Sequence, residues 1–306
     1  MNQHTRAAAI DIGTNSVLLA IAERAGNQLV PVLERATITR LGQGVDKTRT
    51  LAPEAVERNL ACLTEYAALL REFGSPRLRV VGTSAMRDAA GGEEFRKRAA
   101  ALLGVTPEVI SGDEEARLTY RGALSGLPLR AEPVVVFDIG GGSTEIIQAA
   151  AGVINDAISL NIGSVRLTER HLPSDPPTGE ELSKLDADVA RELAQVAPPT
   201  VGAQLIGVAG TLTTLCAVQQ RLATYDSSRV HGATLSLEQV SVLCEMLASL
   251  PVEERRKLPG LEPKRADVIA AGARIARGVM QWAQASELTV SDRGVRWGIL
   301  EALLEA

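Results

Sequence analysis

Aromatic residues are scarce in this chain: Phe, Tyr and Trp together make up 3% of its 306 residues. Stacking platforms for nucleobases need aromatic faces, so the composition argues against a single-stranded nucleic-acid binder. A dominant charge is lacking too. With 32 Lys and Arg against 37 Asp and Glu the formal net charge is −5, and no global field recruits nucleic acid or an acidic membrane. Any anionic ligand must be held locally. Cys62, Cys216 and Cys244 are the only cysteines and show no CxxC spacing, so they read as buried free thiols in a reducing compartment. His4, His171 and His231 have no ligand-like spacing, which argues against zinc. No run reaches the roughly 18 apolar residues of a spanning helix, and Met1–Ala9 has no long apolar leader segment. The expectation is a cytoplasmic protein that engages neither nucleic acid nor membrane.

What is present is aliphatic and repeated. Hydrophobic residues make up 45% of the chain, enough for a sizeable core of Ala, Val, Leu and Ile, and the length suits two domains of roughly 100–200 residues. Laid against itself, the chain repeats. Ile10-Asp11-Ile12-Gly13-Thr14-Asn15-Ser16 recurs as Phe137-Asp138-Ile139-Gly140-Gly141-Gly142-Ser143. Each copy follows an apolar run, Ala7–Ile10 or Val134–Phe137, and precedes another, Val17–Ala22 or Ile146–Ala150. A glycine turn at Gly26 or Gly152 leads to a third run, Gln28–Leu33 or Val153–Leu160. This pattern predicts a β-meander in each half. At nearly the same spacing, Gly82-Thr83 echoes Gly210-Thr211, each between a strand and a helix.

The expected fold is therefore α/β: two domains of like topology, related by internal duplication and facing each other across a cleft. The periodicity predicts helices at Pro53–Phe73, Glu93–Leu103, about 112–124, Val165–His171, Gly179–Val196, Leu212–Leu222, Leu237–Leu250, Arg265–Gln284 and Val295–Leu304. Residues 127–133 read as the crossing between domains spanning 1–128 and 129–306. The last helix, from about 295, is expected to pack back on the first domain.

Consecutive backbone N–H groups hold phosphate oxygens well, and glycine lets the backbone approach and turn. Gly140-Gly141-Gly142-Ser143-Thr144 supplies such groups with two hydroxyls, and Gly13-Thr14-Asn15-Ser16 a smaller version. One glycine hairpin reads most simply as a tight turn; two, each preceded by Asp at a strand end, point to a ligand. Asp11 and Asp138 end apolar strands, where an ionised carboxylate is costly unless paired or bound to a cation. Mg²⁺ takes one or two carboxylates plus water and phosphate oxygens, with Mn²⁺ as the alternative ion. Glu145, beyond the glycine loop, reads either as a further ligand or as an exposed strand residue. Arg87, one turn into a helix, reads as a phosphate clamp or as a surface partner of Asp88. Glu114 and Glu115 suit a helix first turn on dipole grounds alone. The clusters Arg96-Lys97-Arg98, Arg255-Arg256-Lys257 and Lys264-Arg265 read as solvated faces, or as a track for a polyanion.

Together these segments resemble the exopolyphosphatase/guanosine pentaphosphate phosphohydrolase (Ppx/GppA) family of the actin-like superfold, whose domains are ribonuclease H-like. The similar stretches are 9–16, Gly82 to Ala89, Ile110 to Arg117, Asp138 to Glu145, Asn161 to Glu169, Gly207 to Thr211, Arg265-Ala266-Asp267 and Ser291-Asp292-Arg293-Gly294, in family order over nearly the whole chain. The resemblance implies a hydrolase of phosphoric anhydrides: an Mg²⁺-dependent exopolyphosphatase that releases orthophosphate from inorganic polyphosphate. The alternative is a guanosine pentaphosphate 5′-phosphohydrolase; a non-catalytic sensor or another actin-like ATPase ranks below both. It implies Glu115 as the carboxylate that orients the attacking water, with Glu145 and Arg87 also catalytic. Asp138, Asp11 and Glu145 are then the metal residues. Gly13, Thr14, Asn15, Ser16, Gly141, Gly142, Ser143, Thr144, Gly210 and Thr211 are the substrate contacts. A homodimer is the expected assembly. Two departures stand out. Arg296-Trp297-Gly298 replaces the family's frequent Arg-Glu-Gly, and the length matches the short, two-domain form.

Overall fold

The computed structural model describes residues 6–26, 28–74, 76–129 and 132–305. Most of the leader-free stretch expected at the N-terminus, and Arg130 and Ala131 of the expected crossing, lie outside the described residues. The chain forms two compact units: Met1–Gly126 with Val295–Ala306, and Leu127–Gly294.

In the first unit, β1 (Arg6–Ile12), β2 (Ser16–Ala25) and β3 (Gln28–Ile38) form an antiparallel meander. β4 (Arg77–Gly82) pairs parallel with β1, and the two-residue β5 (Glu108–Val109) parallel with β4, giving the order β3-β2-β1-β4-β5. β1 is small and apolar because both its faces are covered. Ala8, Ile10 and Ile12 face a core shared with Leu60, Leu63, Tyr66 and Phe95, from the helices Pro53–Glu72 and Gly92–Leu103. Ala7 and Ala9 face the opposite way, toward Leu118, Trp297, Ile299 and Leu300. Alanine on that face leaves room for the indole of Trp297, which is 1% exposed. Period-two alternation thus sorts one strand into two cores.

The second unit repeats the plan. β6 (Val134–Ile139), β7 (Thr144–Ala150) and β8 (Val153–Leu160) form the meander. β9 (Gln204–Val208) joins β6 in parallel, β11 (Glu287–Val290) joins β9, and β10 (Thr234–Ser236) caps the edge antiparallel. Read from β8, the order is β8-β7-β6-β9-β11-β10. Its first five positions reproduce the first sheet in order and direction, the topology of actin-like, ribonuclease H-like domains. The expected α/β duplication is therefore present.

The principal helices fall where the periodicity places them, with shifts at their ends. The largest is in the helix expected over Arg265–Gln284, which runs Ile269–Trp282 after a short 3₁₀ turn at Pro263–Arg265. Pro263 fixes φ and removes a donor. The turns at Gly26 and Gly152 adopt positive φ, 62° and 74°, which glycine reaches without strain. The final helix, Val295–Glu305, packs on β1 and on the helix Gly112–Leu124. All three cysteines are buried and free. Among the described residues no helix is long and apolar enough to cross a membrane.

Candidate active site

The two aspartates sit at equivalent points. Asp11 is one residue from the end of β1 and Asp138 one residue from the end of β6. Each strand leads into a hairpin closed in the same way. The Gly13 N–H donates to the Ser16 carbonyl, and the Gly140 N–H to that of Ser143, both at 3.0 Å. Neither loop uses positive φ at Thr14, Asn15, Gly141 or Gly142.

What orients the loops is the chain that follows the third strand of each meander. The Asn15 carbonyl accepts from the N–H groups of Thr39 and Arg40 at 3.0 and 2.9 Å, and the Thr14 carbonyl from Gly42 at 2.9 Å. In the second unit the Gly141 carbonyl accepts from Val165 and Arg166 at 2.9 and 3.0 Å, and the Gly140 carbonyl from Ser164 at 3.0 Å. Arg166 Nε donates to the Gly142 carbonyl at 2.6 Å. These last donors belong to the first turn of the helix Ser164–His171, whose N–H groups need outside acceptors. With the carbonyls committed, the N–H groups of Thr14, Asn15, Gly141 and Gly142 have no protein acceptor among the described residues. The Asn15 side chain is buried, and neither of its amide atoms has a partner among the described residues. Such a group is costly until something bonds to it, and an anion with several oxygens suits the N–H groups and the amide Nδ2.

The residue across the ladder from each aspartate differs between the units. Asp11 lies opposite Leu18, whereas Asp138 lies opposite Glu145. Glu145 is 4% exposed and accepts from Ser159 Oγ at 2.8 Å, so the exposed-strand reading of Glu145 is excluded. Two carboxylates directly opposed on one sheet face disfavour each other. A hard divalent cation relieves that opposition, and Mg²⁺ uses one or two carboxylates, so the donor set fits. Among the described residues no three His, Cys, Asp or Glu side chains gather into a ligand set.

Glu114 and Glu115, equal in the sequence, part company in the fold. Ser111 caps their helix by accepting from the Glu114 N–H at 3.2 Å, which sets the first turn. Glu114 points to Arg79, at 2.5 Å, and Arg79 also holds Glu108 at 2.8 Å. Its hydrogen bond with Glu108, then that with Glu114, raises the Arg79 pKa above the usual guanidinium value. Glu115 is 8% exposed and pairs with Arg87 Nη1 at 3.2 Å. Arg87 Nη1 also donates to the Ile110 carbonyl at 3.1 Å, and Nε lies 3.6 Å from Asp88. Both partners of Arg87 are therefore real; the buried one is Glu115.

Several close contacts hold these loops and their neighbours in place. A Cβ on Gly163 would lie 2.4 Å from the Gly141 carbonyl oxygen, and one on Gly42 2.2 Å from Thr14 Cγ2. Thr14 Oγ1 and Ser84 Oγ share a 2.9 Å hydrogen bond. Thr211, buried at the start of the helix Ala209–Gln219, donates to the Ile139 carbonyl at 3.3 Å. Gly210 carries the Arg265 guanidinium, since a Cβ there would lie 2.2 Å from Nη2. The other basic clusters are tied to local acids, as Arg98–Glu57, Arg96–Glu93, Arg256–Glu253 and Lys257–Glu254 show. At the far end of the Ser164–His171 helix, Arg170 and His171 both reach Asp188 Oδ2, at 2.9 and 2.8 Å, and Arg191 pairs with Oδ1. Asp188 is buried, so one carboxylate anchors the helix whose other end holds the glycine loop.

A sequence profile of the Ppx/GppA phosphatase family matches residues 20–306. Exopolyphosphatase 2 of Mycobacterium tuberculosis is 41% identical, over 98% of both chains. Among solved structures, the Ppx/GppA family member of Aquifex aeolicus is 37% identical over 98% of both chains, with a TM-score of 0.83. An exopolyphosphatase from Cytophaga hutchinsonii is 26% identical over 98% of both, with a TM-score of 0.89.

Proposed function

The chain belongs to the Ppx/GppA phosphatase family, and on that premise we propose that it is an exopolyphosphatase, hydrolysing the terminal anhydride bond of inorganic polyphosphate to release orthophosphate. The observation that carries the reading is the opposed pair Asp138–Glu145 beside a loop with unclaimed N–H groups, in a chain 41% identical end to end to exopolyphosphatase 2.

In this reading the loops Gly13–Ser16 and Gly141–Thr144, with Gly210 and Thr211, hold phosphate oxygens through N–H groups and hydroxyls. Asp138 and Glu145 hold Mg²⁺, and Asp11 is the carboxylate that the first unit offers. A bound divalent ion supplies charge neutralisation on the phosphate oxygens. Glu115 orients a water molecule and takes its proton as the new P–O bond forms and the bond to the rest of the chain breaks. Arg87 fixes the Glu115 carboxylate through Nη1, and its Nη2, which has no partner among the described residues, is offered to a phosphate oxygen. Such transfer rests on positioning and electrostatics rather than on covalent intermediates.

The test is orthophosphate release by purified protein with Mg²⁺ from short polyphosphate, long polyphosphate, guanosine pentaphosphate and ATP. Polyphosphate is expected to turn over fastest, with loss on chelation and recovery on Mg²⁺ addition. Faster release from guanosine pentaphosphate transfers the assignment to the nucleotide, and no release from any substrate overturns it. Glu115→Gln is expected to stay folded and lose at least ~10²-fold in kcat; wild-type turnover removes Glu115 from its role.

A further inference from the structure

We infer that Glu34, far from the loops in sequence, is a positioning residue for Glu115, acting through the first turn of the final helix; the inference rests on the role proposed above for Glu115. Glu34 lies on β3 and presents one carboxylate oxygen to two donors from that helix. Arg296 Nη2 reaches Oε1 at 2.9 Å and Trp297 Nε1 reaches the same atom at 3.0 Å. Arg296 and Glu34 side chains are 11% and 25% exposed, so the pair is shielded and its hydrogen bonds are charge-assisted. The sequence leaves Trp297 without a purpose; the fold makes its indole N–H one of these two donors.

The next residue explains why the turn must be held. Gly298 has no side chain to spare: a Cβ there would lie 2.1 Å from the Leu118 carbonyl oxygen and 2.7 Å from its carbon. The final helix therefore seats backbone against backbone on the helix Gly112–Leu124. Leu118 stands three residues after Glu115, so this contact falls one turn from the carboxylate and on its side of the helix. Glu34 fixes Arg296 and Trp297, they fix the turn that carries Gly298, and Gly298 fixes the helix that presents Glu115 to Arg87. Val295, which opens this helix, is also the first residue after the chain leaves the second unit. Other ties lie further along the helix: Glu301 accepts from Ser125 Oγ at 2.8 Å, the Leu303 carbonyl from Arg77 Nη1 at 3.3 Å and the Leu304 carbonyl from Arg24 Nε at 3.0 Å, and Glu305 pairs with Arg121. Removal of Glu34 thus takes two hydrogen bonds from the first turn while leaving the last one docked.

The experiment measures kcat, KM and Tm for polyphosphate hydrolysis by Glu34→Gln, Glu34→Ala, Trp297→Phe and Glu115→Gln, well below every melting temperature. Glu34→Ala is expected to lose about 10-fold or more in kcat with KM within twofold, because a misplaced carboxylate weakens the transition state more than substrate binding. Glu34→Gln keeps an acceptor for the indole and is expected to fall between Glu34→Ala and wild type, as is Trp297→Phe. If Glu34→Ala does not fold, the two milder variants decide. Lowered Tm with wild-type kcat in folded variants overturns the inference and leaves Glu34 as a stability residue; so does a loss carried by KM alone. Glu115→Gln separates the two readings. Full activity in that variant overturns the role of Glu115 and the inference with it, whereas an inactive Glu115→Gln beside fully active Glu34 variants overturns the inference alone.

Discussion

The hairpin after β1 and the hairpin after β6 close with the same Gly-to-Ser hydrogen bond, and each is held from behind by the chain that follows its meander. Two ladder positions beyond that bond the aspartates differ in partner: Leu18 faces Asp11, and Glu145 faces Asp138. The duplicated units share the hairpin closure and differ in the cross-strand partner of the aspartate. The backbone sets where N–H groups stand, which any phosphate needs. The partner sets whether the strand end offers one carboxylate or an opposed pair, which is where cation chemistry separates from plain anion binding.

The sharpest way to break the comparison is to remove the partner on each side. Glu145→Gln is expected to lower kcat by roughly 10²–10⁴-fold, and raising Mg²⁺ should recover part of the loss. Leu18→Ala should leave kcat within a few-fold of wild type. Phosphate-release kinetics over an Mg²⁺ series checks both, and equal losses at the two positions would mean that the units are chemically alike.

The bracing glycines give a smaller contrast. Gly163→Ala drives a Cβ against the Gly141 peptide, which cannot yield without moving the loop, whereas Gly42→Ala meets chiefly the Thr14 side chain, with Ala85 in ordinary contact. The first is expected to cost about 1–3 kcal/mol of stability together with activity, the second clearly less of each. Paired thermal melts and kcat values decide, and a larger effect at Gly42 would reverse the ranking of the loops.

The smallest effect concerns the anchor beneath the glycine loop. Burial works to raise the Asp188 pKa, but hydrogen bonds from His171 and Arg170 and the charge of Arg191 outweigh it, and the net shift is downward. A carboxyl lowered on folding adds stability above its unfolded pKa, about 3.9, and that contribution fades as pH falls through the lower folded value. Asp188→Asn is therefore expected to reduce Tm at pH 7 and to flatten its fall below about pH 4. A melting series from pH 7 to 3 tests this, and an unchanged acid limb would exclude Asp188 as its source.

The duplicated hairpins were legible in the sequence because glycine and aspartate at strand ends are conspicuous and recur at one spacing. Glu145 was legible as a candidate, yet its meaning depends on ladder register, which places it opposite Asp138 rather than merely near it. The residue pattern alone did not separate Glu114 from Glu115, since both satisfy a helix first turn, and only the resemblance pointed to Glu115; in the fold their partners, Arg79 and Arg87, distinguish them. Gly42 and Glu34 carry no local pattern at all, and Gly163 sits in a recognised stretch without showing what it is for. Each matters through one contact with a residue distant in sequence, and no periodicity encodes that. The short strands Glu108–Val109 and Thr234–Ser236 were hidden for a related reason, being too brief to alternate.

The committed carbonyls of the two hairpins carry a last consequence, for the heat of capture. A loop that is already tied down before any anion arrives loses little motional freedom when one lands, and its dipoles need no reorientation. Association should accordingly be favoured by enthalpy, with a small unfavourable entropy from the protein side. The same stiffness makes the hairpins poor at widening, so a bulkier oxyanion in place of phosphate should be turned away by shape before charge is consulted.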